Sequence, residues 1–336
     1  MQELQAHRSQ EAFRRGLLSW YYANRRALPW RGETDPYRIW VSEIMLQQTR
    51  VAAVKDRYRS FLKRFPNEWA LARAPINLVL AEWSGLGYYR RARNMHAAVR
   101  LLARQRRSIP QRADELRTLP GIGRYTSAAI ASIAFGESIA AVDGNVERVL
   151  SRITGMSPRN GGVSERTWQI ARELVDPQNP GDFNQAMMEL GATVCLPRKP
   201  ACPKCPVSRF CVSMHRAAGR SELRKKTRQT VREKYILHTR PGSILLVRRP
   251  ARASVMPGML ELPRTSSRLV SPPLLRLRHS ITTRDHLITV VSAPRRWRPP
   301  QSSVWKRLGE LQSLPLTGLT RKVLLQALPG AALKLK

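Results

Sequence analysis

No run of about 18 uninterrupted apolar residues occurs in the 336-residue chain, so no membrane span is expected. The opening residues Met1-Gln2-Glu3-Leu4-Gln5-Ala6-His7-Arg8 lack the apolar core of a secretory signal. An intracellular protein is expected, in the cytoplasm or nucleoid if the source is bacterial. Cysteine is scarce as well: the four present are Cys195, Cys202, Cys205 and Cys211. So tight a grouping argues against a disulfide framework spread over the fold and for one local site. Acids are short throughout, 23 Asp+Glu against 59 Lys+Arg, for a formal charge of +36. The shortage is uneven, because residues 1–215 hold 33 basic and 18 acidic residues and residues 216–336 hold 26 and 5. A surplus that large concentrates polyanions around the molecule, which makes nucleic acid the first partner to consider. Charge alone leaves a ribosomal or membrane surface open.

The length is sufficient for two domains, each with its own core. From Glu11 to Cys195 the apolar spacing is mostly helical, with Asp35-Pro36 placed to cap and start a helix carrying Ile39, Trp40, Ile44, Met45 and Leu46. Further helices are predicted at 51–64, 91–105, 121–135, 145–154, 164–175 and 182–193. A Ser/Arg/Lys-rich stretch over 217–233 reads as a linker. Beyond it the period shifts toward two, with short strands at Lys234–His238, Ser243–Arg248 and His286–Ser292 and a last helix at Arg321–Ala327. The expected fold is therefore mainly α: a two-lobed helical domain over 1–216, then a basic linker, then a smaller α/β domain over 234–330.

The chain centres on Leu119-Pro120-Gly121-Ile122-Gly123-Arg124-Tyr125-Thr126. A Gly-x-Gly turn opening a helix presents backbone N–H groups where an anion such as a DNA phosphate can sit. Gly85-Leu86-Gly87-Tyr88, followed by a basic helix start, repeats the form. Asp143 opens the next helical pattern with little local sign of a structural partner. Glu43 lies in an apolar run, where desolvation raises a carboxyl pKa and lets it hold a proton near neutrality, the property a general acid needs. The cysteine spacing offers four thiolates, the ligand set of either zinc or an iron–sulfur cluster. Arg198, Lys199 and Lys204 in the same loop would turn positive charge toward a phosphate.

Leu-Pro-Trp-Arg at 28–31, Val-Ser-Glu-Ile-Met-Leu-Gln-Gln-Thr at 41–49, Gly-Leu-Gly-Tyr-Tyr at 85–89, Leu-Pro-Gly-Ile-Gly at 119–123, Val-Asp-Gly-Asn-Val at 142–146 and the cysteine spacing together resemble the MutY-type adenine DNA glycosylases of the helix-hairpin-helix superfamily. The resemblance implies removal of adenine mispaired with 8-oxoguanine or guanine in double-stranded DNA, by base extrusion. It implies Glu43 as the acid on adenine N7 and Asp143 as the stabiliser of the sugar cation, a two-carboxylate division also used for other glycosidic bonds. Tyr125 would lie against the sugar and Asn145 would order the site. Arg31 and Glu189 would line the adenine pocket; Gln48, Leu86 and Tyr88 would contact the opened duplex, with Gly121 and Gly123 on its backbone. Cys195, Cys202, Cys205 and Cys211 would hold a [4Fe-4S] cluster. A monomer is expected, without strand-nicking activity, since Tyr125 cannot form a Schiff base as a lysine could.

The carboxy-terminal part resembles the family's MutT-like domain at Met259-Leu260-Glu261-Leu262-Pro263, Trp305 and 314–322. It lacks the Arg-Glu-x-x-Glu-Glu run that nucleotide hydrolysis requires, so it is expected to bind and not to hydrolyse. Where the family has His-x-Phe-Ser-His for 8-oxoguanine, this chain has His279-Ser280-Ile281-Thr282-Thr283, which leaves Ser280 and Thr282 as candidate lesion contacts. Two rival readings are an endonuclease III-like enzyme for oxidised pyrimidines, which generally carries a lysine at the Tyr125 position, and a catalytically silent DNA-binding protein, which would need neither Glu43 nor Asp143.

Overall fold

Asp35 accepts hydrogen bonds from the N–H groups of Tyr37 and Arg38, and Pro36 takes the first helical position, where its missing N–H and fixed φ cost nothing. The helix so started, Pro36–Leu46, is buried from Tyr37 to Met45 apart from Arg38. It packs on Arg124–Phe135, whose buried Ala128, Ala129 and Ala131 allow close approach. A third helix, Pro180–Thr193, crosses Arg124–Phe135 at Gly181, where a Cβ would lie 2.7 Å from the Ser132 carbonyl, so only glycine fits the crossing. The computed structural model describes residues 2–156, 163–214, 229–253, 255–265, 272–281, 284–294 and 297–328.

The chain forms two compact units, one of residues 1–69 and 97–223, the other of 70–96 and 224–336. The first is helical and built on a core that includes Phe13, Leu17, Tyr21, Val146, Leu150, Phe183 and Leu190. Its helices at 51–64, 124–135, 144–154, 165–174 and 180–193 lie within a few residues of the expected ones.

The second unit carries eight strands among the described residues: β1 (Gln229–Leu237), β2 (Thr239–Arg240), β3 (Ser243–Arg248), β4 (Leu260–Glu261), β5 (Arg264–Thr265), β6 (Pro273–Ile281), β7 (Arg284–Ser292) and β8 (Ser303–Arg307). One sheet runs β5-β1-β7-β6, the other β2-β3-β4 with β8 against β3. Tyr235, Ile244, Leu246, Ile288 and Val290 form their shared core with Leu319, Val323 and Leu324 of the helix Gly318–Ala327.

The expected boundaries shift in two places. Residues 229–233 belong to β1, not to a linker, while 217–228 lie outside the described residues. Segment 70–96 groups with the second unit: Arg93 Nη2 donates to the Pro257 carbonyl at 2.6 Å and Ser84 Oγ to that of Leu316 at 3.3 Å. His279, Ser280 and Ile281, the start of the candidate lesion motif, end strand β6, and Thr282 lies outside the described residues.

Candidate active site

Helix Pro36–Leu46 points Glu43 into a cavity of about 680 Å³ that also receives Arg31, Gln48, Gly121, Gly123, Tyr125, Asp143, Asn145 and Glu189. All of these residues belong to the first unit. Glu43 is 7% exposed and accepts a 2.5 Å hydrogen bond from the Tyr125 hydroxyl at Oε2. Burial pushes its pKa above the ordinary carboxylate value; the Tyr125 hydrogen bond and the Arg31 charge oppose the rise, and the charge of Asp143 adds to it. Tyr125 is itself held well above the usual phenol value, first by burial and then by the charges of Glu43 and Asp143, so it stays a hydrogen-bond donor.

Asp143 has different surroundings. It caps the helix Gly144–Thr154, with Oδ1 accepting from the backbone N–H groups of Asn145 and Val146 at 2.9 and 2.8 Å and Oδ2 from Asn145 Nδ2 at 2.9 Å. A helix N-terminus is a favourable place for negative charge. One cavity thus holds a desolvated carboxyl inclined to keep a proton and a carboxylate fixed by three N–H donors, the separation of environments that assigns an acid and a charge stabiliser.

Glu189 completes the wall at 1% exposure. Burial favours its protonation, but hydrogen bonds from Arg26 and the charges of Arg31 and Arg26 outweigh that and hold its pKa below the ordinary value. Arg26 Nε reaches Oε1 at 2.5 Å, and Arg31 Nη2 reaches Oε2 at 2.6 Å. Arg31 also donates through Nη1 to Gln185 Oε1 at 2.5 Å. Arg26, Gln185 and Met188 are absent from the residues singled out by sequence. The last two had a legible signal, since 185, 188, 189 and 192 share one helix face; Arg26 looks like any other surface arginine.

From Asp143 a hydrogen-bonded chain runs to the cysteines. Asn145 Oδ1 accepts from Arg148 Nη2 at 2.9 Å, and Arg148 Nε donates to the Cys195 carbonyl at 3.0 Å. Arg152 Nη1 donates to Cys195 Sγ at 3.2 Å and to the Leu196 carbonyl at 2.7 Å. Gly191 permits this proximity, because a Cβ there would lie 2.7 Å from that of Asn145. Cys195, Cys202, Cys205 and Cys211 line one largely apolar cavity of about 30 Å³. Burial, with the charges of the other three cysteines, lifts the Cys205 thiol to about 11. No three Cys, His, Asp or Glu among the described residues are placed to hold a single metal ion.

Gln48 and Tyr88, both assigned to the opened duplex, are exposed and adopt positive φ, +55° and +47°. Left-handed backbone at a non-glycine residue costs on the order of 1–3 kcal/mol and gathers at functional sites. In the second unit the Tyr88 turn is fastened by Arg91, which stacks near the rings of Trp83 and Tyr88 and donates to the Leu86 and Gly87 carbonyls. Leu86 differs from expectation: its side chain is 5% exposed and belongs to packing. Gly121 has φ +80°, and Gly123 precedes the helix Arg124–Phe135 with no side chain capping its first N–H groups. Ser280, on the outer face of β6, donates to Asp285 Oδ1 at 2.5 Å.

Residues 41–175 match the family described as HhH-GPD superfamily base excision DNA repair protein. The rat adenine DNA glycosylase is 44% identical over 271 residues, covering 76% of this chain and 52% of its own. The human adenine DNA glycosylase is 46% identical over 217 residues, covering 61% and 40%. The chain spans about half the length of these curated relatives. Among solved structures, that of a thermostable thymine-DNA glycosylase is 30% identical, with a TM-score of 0.58 over 63% of this chain and 99% of its own.

Proposed function

Because the chain belongs to the HhH-GPD superfamily of base excision DNA repair proteins and, within it, to the MutY-type glycosylases, we propose that it hydrolyses the N-glycosidic bond of adenine mispaired with 8-oxoguanine or guanine in duplex DNA. The observation that carries this reading is the pairing of Glu43 and Asp143 in opposed surroundings beside the ionised Glu189. An extruded adenine enters the 680 Å³ cavity, and Glu189 accepts from its amino group while Arg31 holds Glu189 in place. Glu43 gives its proton to N7, which makes the base a neutral leaving group. Asp143 offsets the positive charge that develops on the sugar. The Glu43 carboxylate left behind takes a proton from the attacking water. Tyr125 keeps Glu43 aimed and has no amine to trap the sugar, so strand nicking is not expected.

Single-turnover assays with enzyme in excess test the reading. Adenine release is expected from A:8-oxoguanine and A:G duplexes and no base release from T:G or oxidised-pyrimidine duplexes. Release confined to the latter pair would replace the adenine assignment with a pyrimidine one.

The four cysteines fit a [4Fe-4S] cluster better than a zinc ion. All four border one largely apolar cavity, and that low polarity suits sulfide-bridged iron. Held by Cys195, Cys202, Cys205 and Cys211, such a cluster would make the loop rigid and charge-bearing. Arg152 holds the loop at Cys195, and Arg148 links the Cys195 carbonyl to Asn145 and through it to Asp143. Purified protein is expected to be brown with about four irons per chain; stoichiometric zinc without visible absorption would reverse the choice.

The β-rich unit is read as MutT-like, binding without hydrolysis, with Ser280 and Thr282 as the candidate contacts for 8-oxoguanine. The protein is read as working as a monomer. With DNA as its substrate it is read as intracellular, in the cytoplasm or nucleoid if the source is bacterial.

A further inference from the structure

In the sheet that holds β2, β3 and β8, the side chains of Ile244, Leu246 and Val304 enter the shared core. Alternation turns Ser243, Leu245 and Val247 of β3 to the other side, with Arg307, Trp305 and Ser303 of β8 opposite them and Arg240 of β2 opposite Ser243. The Leu245 N–H donates to the His238 carbonyl, which brings His238 into the row of Leu245 and Trp305. Leu245, although turned away from that core, is only 2% exposed. The His238 ring lies 5.2 Å from that of Trp305 and 5.7 Å from that of Trp297, and Arg240 sets its guanidinium 4.2 Å from the centre of the Trp305 ring. Two turns fix the segment that carries Trp297: its N–H donates to the Pro294 carbonyl, and the Ser303 N–H to that of Pro300. His238, Trp297 and Trp305 are half-buried, while Arg240, Arg298 and Arg307 are exposed. None of these three arginines is paired with a carboxylate among the described residues. Glu261, opposite Val247, is already taken by Arg249 at 2.7 Å.

We propose that this face docks an extended acidic peptide of another protein, with two carboxylates on Arg240 and Arg307 and an apolar side chain against Trp297 and Trp305. Arg240 and Arg307 flank Ser243 in one row, which sets their Cα atoms about 10 Å apart, the span of about three residues of an extended chain. An arginine stacked on a ring keeps its edge N–H groups for a carboxylate, which its planar fork matches. Interface energy concentrates on tryptophan and arginine, and rings held in place beforehand lose little freedom on binding. The unpaired cations demand an acidic partner, and the ring geometry disfavours a nucleic acid strand. One face of Trp305 is covered by Arg240, and His238 meets Trp297 and Trp305 at 77° and 52°, so successive bases find no run of parallel open rings. The proposal goes beyond the excision reading and does not depend on it, since none of these residues borders the excision cavity.

The test uses the full chain and fluorescein-labelled peptides Asp-Glu-Asp-X-X-Asp-Glu-Asp, with X as Leu, Phe or Pro, read by anisotropy at about 0.15 M salt. The same peptide with Ser at X, and the apolar peptides with Asn and Gln for the acids, serve as controls. At least one apolar acidic peptide is expected to bind more tightly than both controls. Trp297→Ala, which leaves the charge unchanged, is expected to weaken that binding about 30-fold, the worth of a tryptophan at the centre of an interface. Arg240→Gln with Arg307→Gln should cost roughly tenfold. Arg100→Gln with Arg104→Gln, which removes the same charge from the helical unit, should cost nothing, and every variant should release adenine at the parent rate. If Trp297→Ala fails to fold, the exposed pair at 240 and 307 carries the test. The proposal is overturned if no apolar peptide exceeds the Ser control, or if the Arg100 and Arg104 pair loses as much affinity as the Arg240 and Arg307 pair. Loss of oligonucleotide affinity in the 240 and 307 variant, with peptide affinity intact, would overturn it in favour of a nucleic acid. A parent protein that binds the peptide through these residues but releases no adenine would sink the excision reading and leave this surface standing.

Discussion

Glu43→Gln is expected to reduce single-turnover adenine release by roughly 10²–10⁴-fold, the usual worth of a positioned general acid, with duplex affinity little changed. Glutamine has the same shape and still accepts the Tyr125 hydroxyl hydrogen bond that Glu43 receives at 2.5 Å. It has no acidic proton to give to N7. Rate and affinity therefore separate, and measuring both on one preparation distinguishes lost chemistry from lost binding. A variant that releases adenine at the parent rate would remove Glu43 from the mechanism.

The same substitution has a consequence for stability. Burial raises the pKa of Glu43 in the folded state above the ordinary 4.5. The folded chain then binds this proton more tightly than the unfolded chain, so stability drains away as pH rises through and above that ordinary value. Glutamine has nothing to titrate. The Gln variant should melt above the parent at neutral and alkaline pH, with the gap closing as pH falls toward about 4.5 and absent below it. Parent excision, for its part, should decline as pH climbs through the raised pKa and the proton donor is lost.

How much of the site could be read from sequence depended on how local each signal is. Glu43, Tyr125, Asp143 and the cysteines lie in short runs whose residue types already name a chemistry, and the fold brings the first three into one cavity. Arg26 carries no such signal: its meaning comes from Glu189, 163 residues away. The Arg148 link to Cys195 likewise spans 47 residues and exists only once two helices cross. In the second unit, the start of β1 reads as linker because Thr230 and Arg232 face outward, leaving Val231 as the first apolar residue of the strand. The alternation Leu275-Arg276-Leu277-Arg278 is a strand signal in the sequence, and pairing with β7 continues through Ile281. Segment 70–96 carries no boundary signal, because its place with the second unit depends on contacts such as Arg93 with Pro257.

Asp143→Asn is expected to slow excision on the order of 10²–10³-fold, about 3–4 kcal/mol, the scale set by removing one preorganised electrostatic group from a transition state. Asp143 also caps the helix Gly144–Thr154, so slow turnover by itself could reflect a damaged helix. The two roles come apart by choice of substitution. Asparagine caps a helix about as well as aspartate, whereas alanine forfeits about 0.5–2 kcal/mol. The asparagine side chain would keep the acceptor for the Asn145 and Val146 N–H groups and lose the charge. Thermal unfolding should therefore rank the parent and Asp143→Asn close together with Asp143→Ala below them, while single-turnover assays rank both variants far below the parent. If Asp143→Asn turned over like the parent and only Asp143→Ala were slow, the defect would belong to the helix cap, and the charge opposite the sugar cation would have to come from another group.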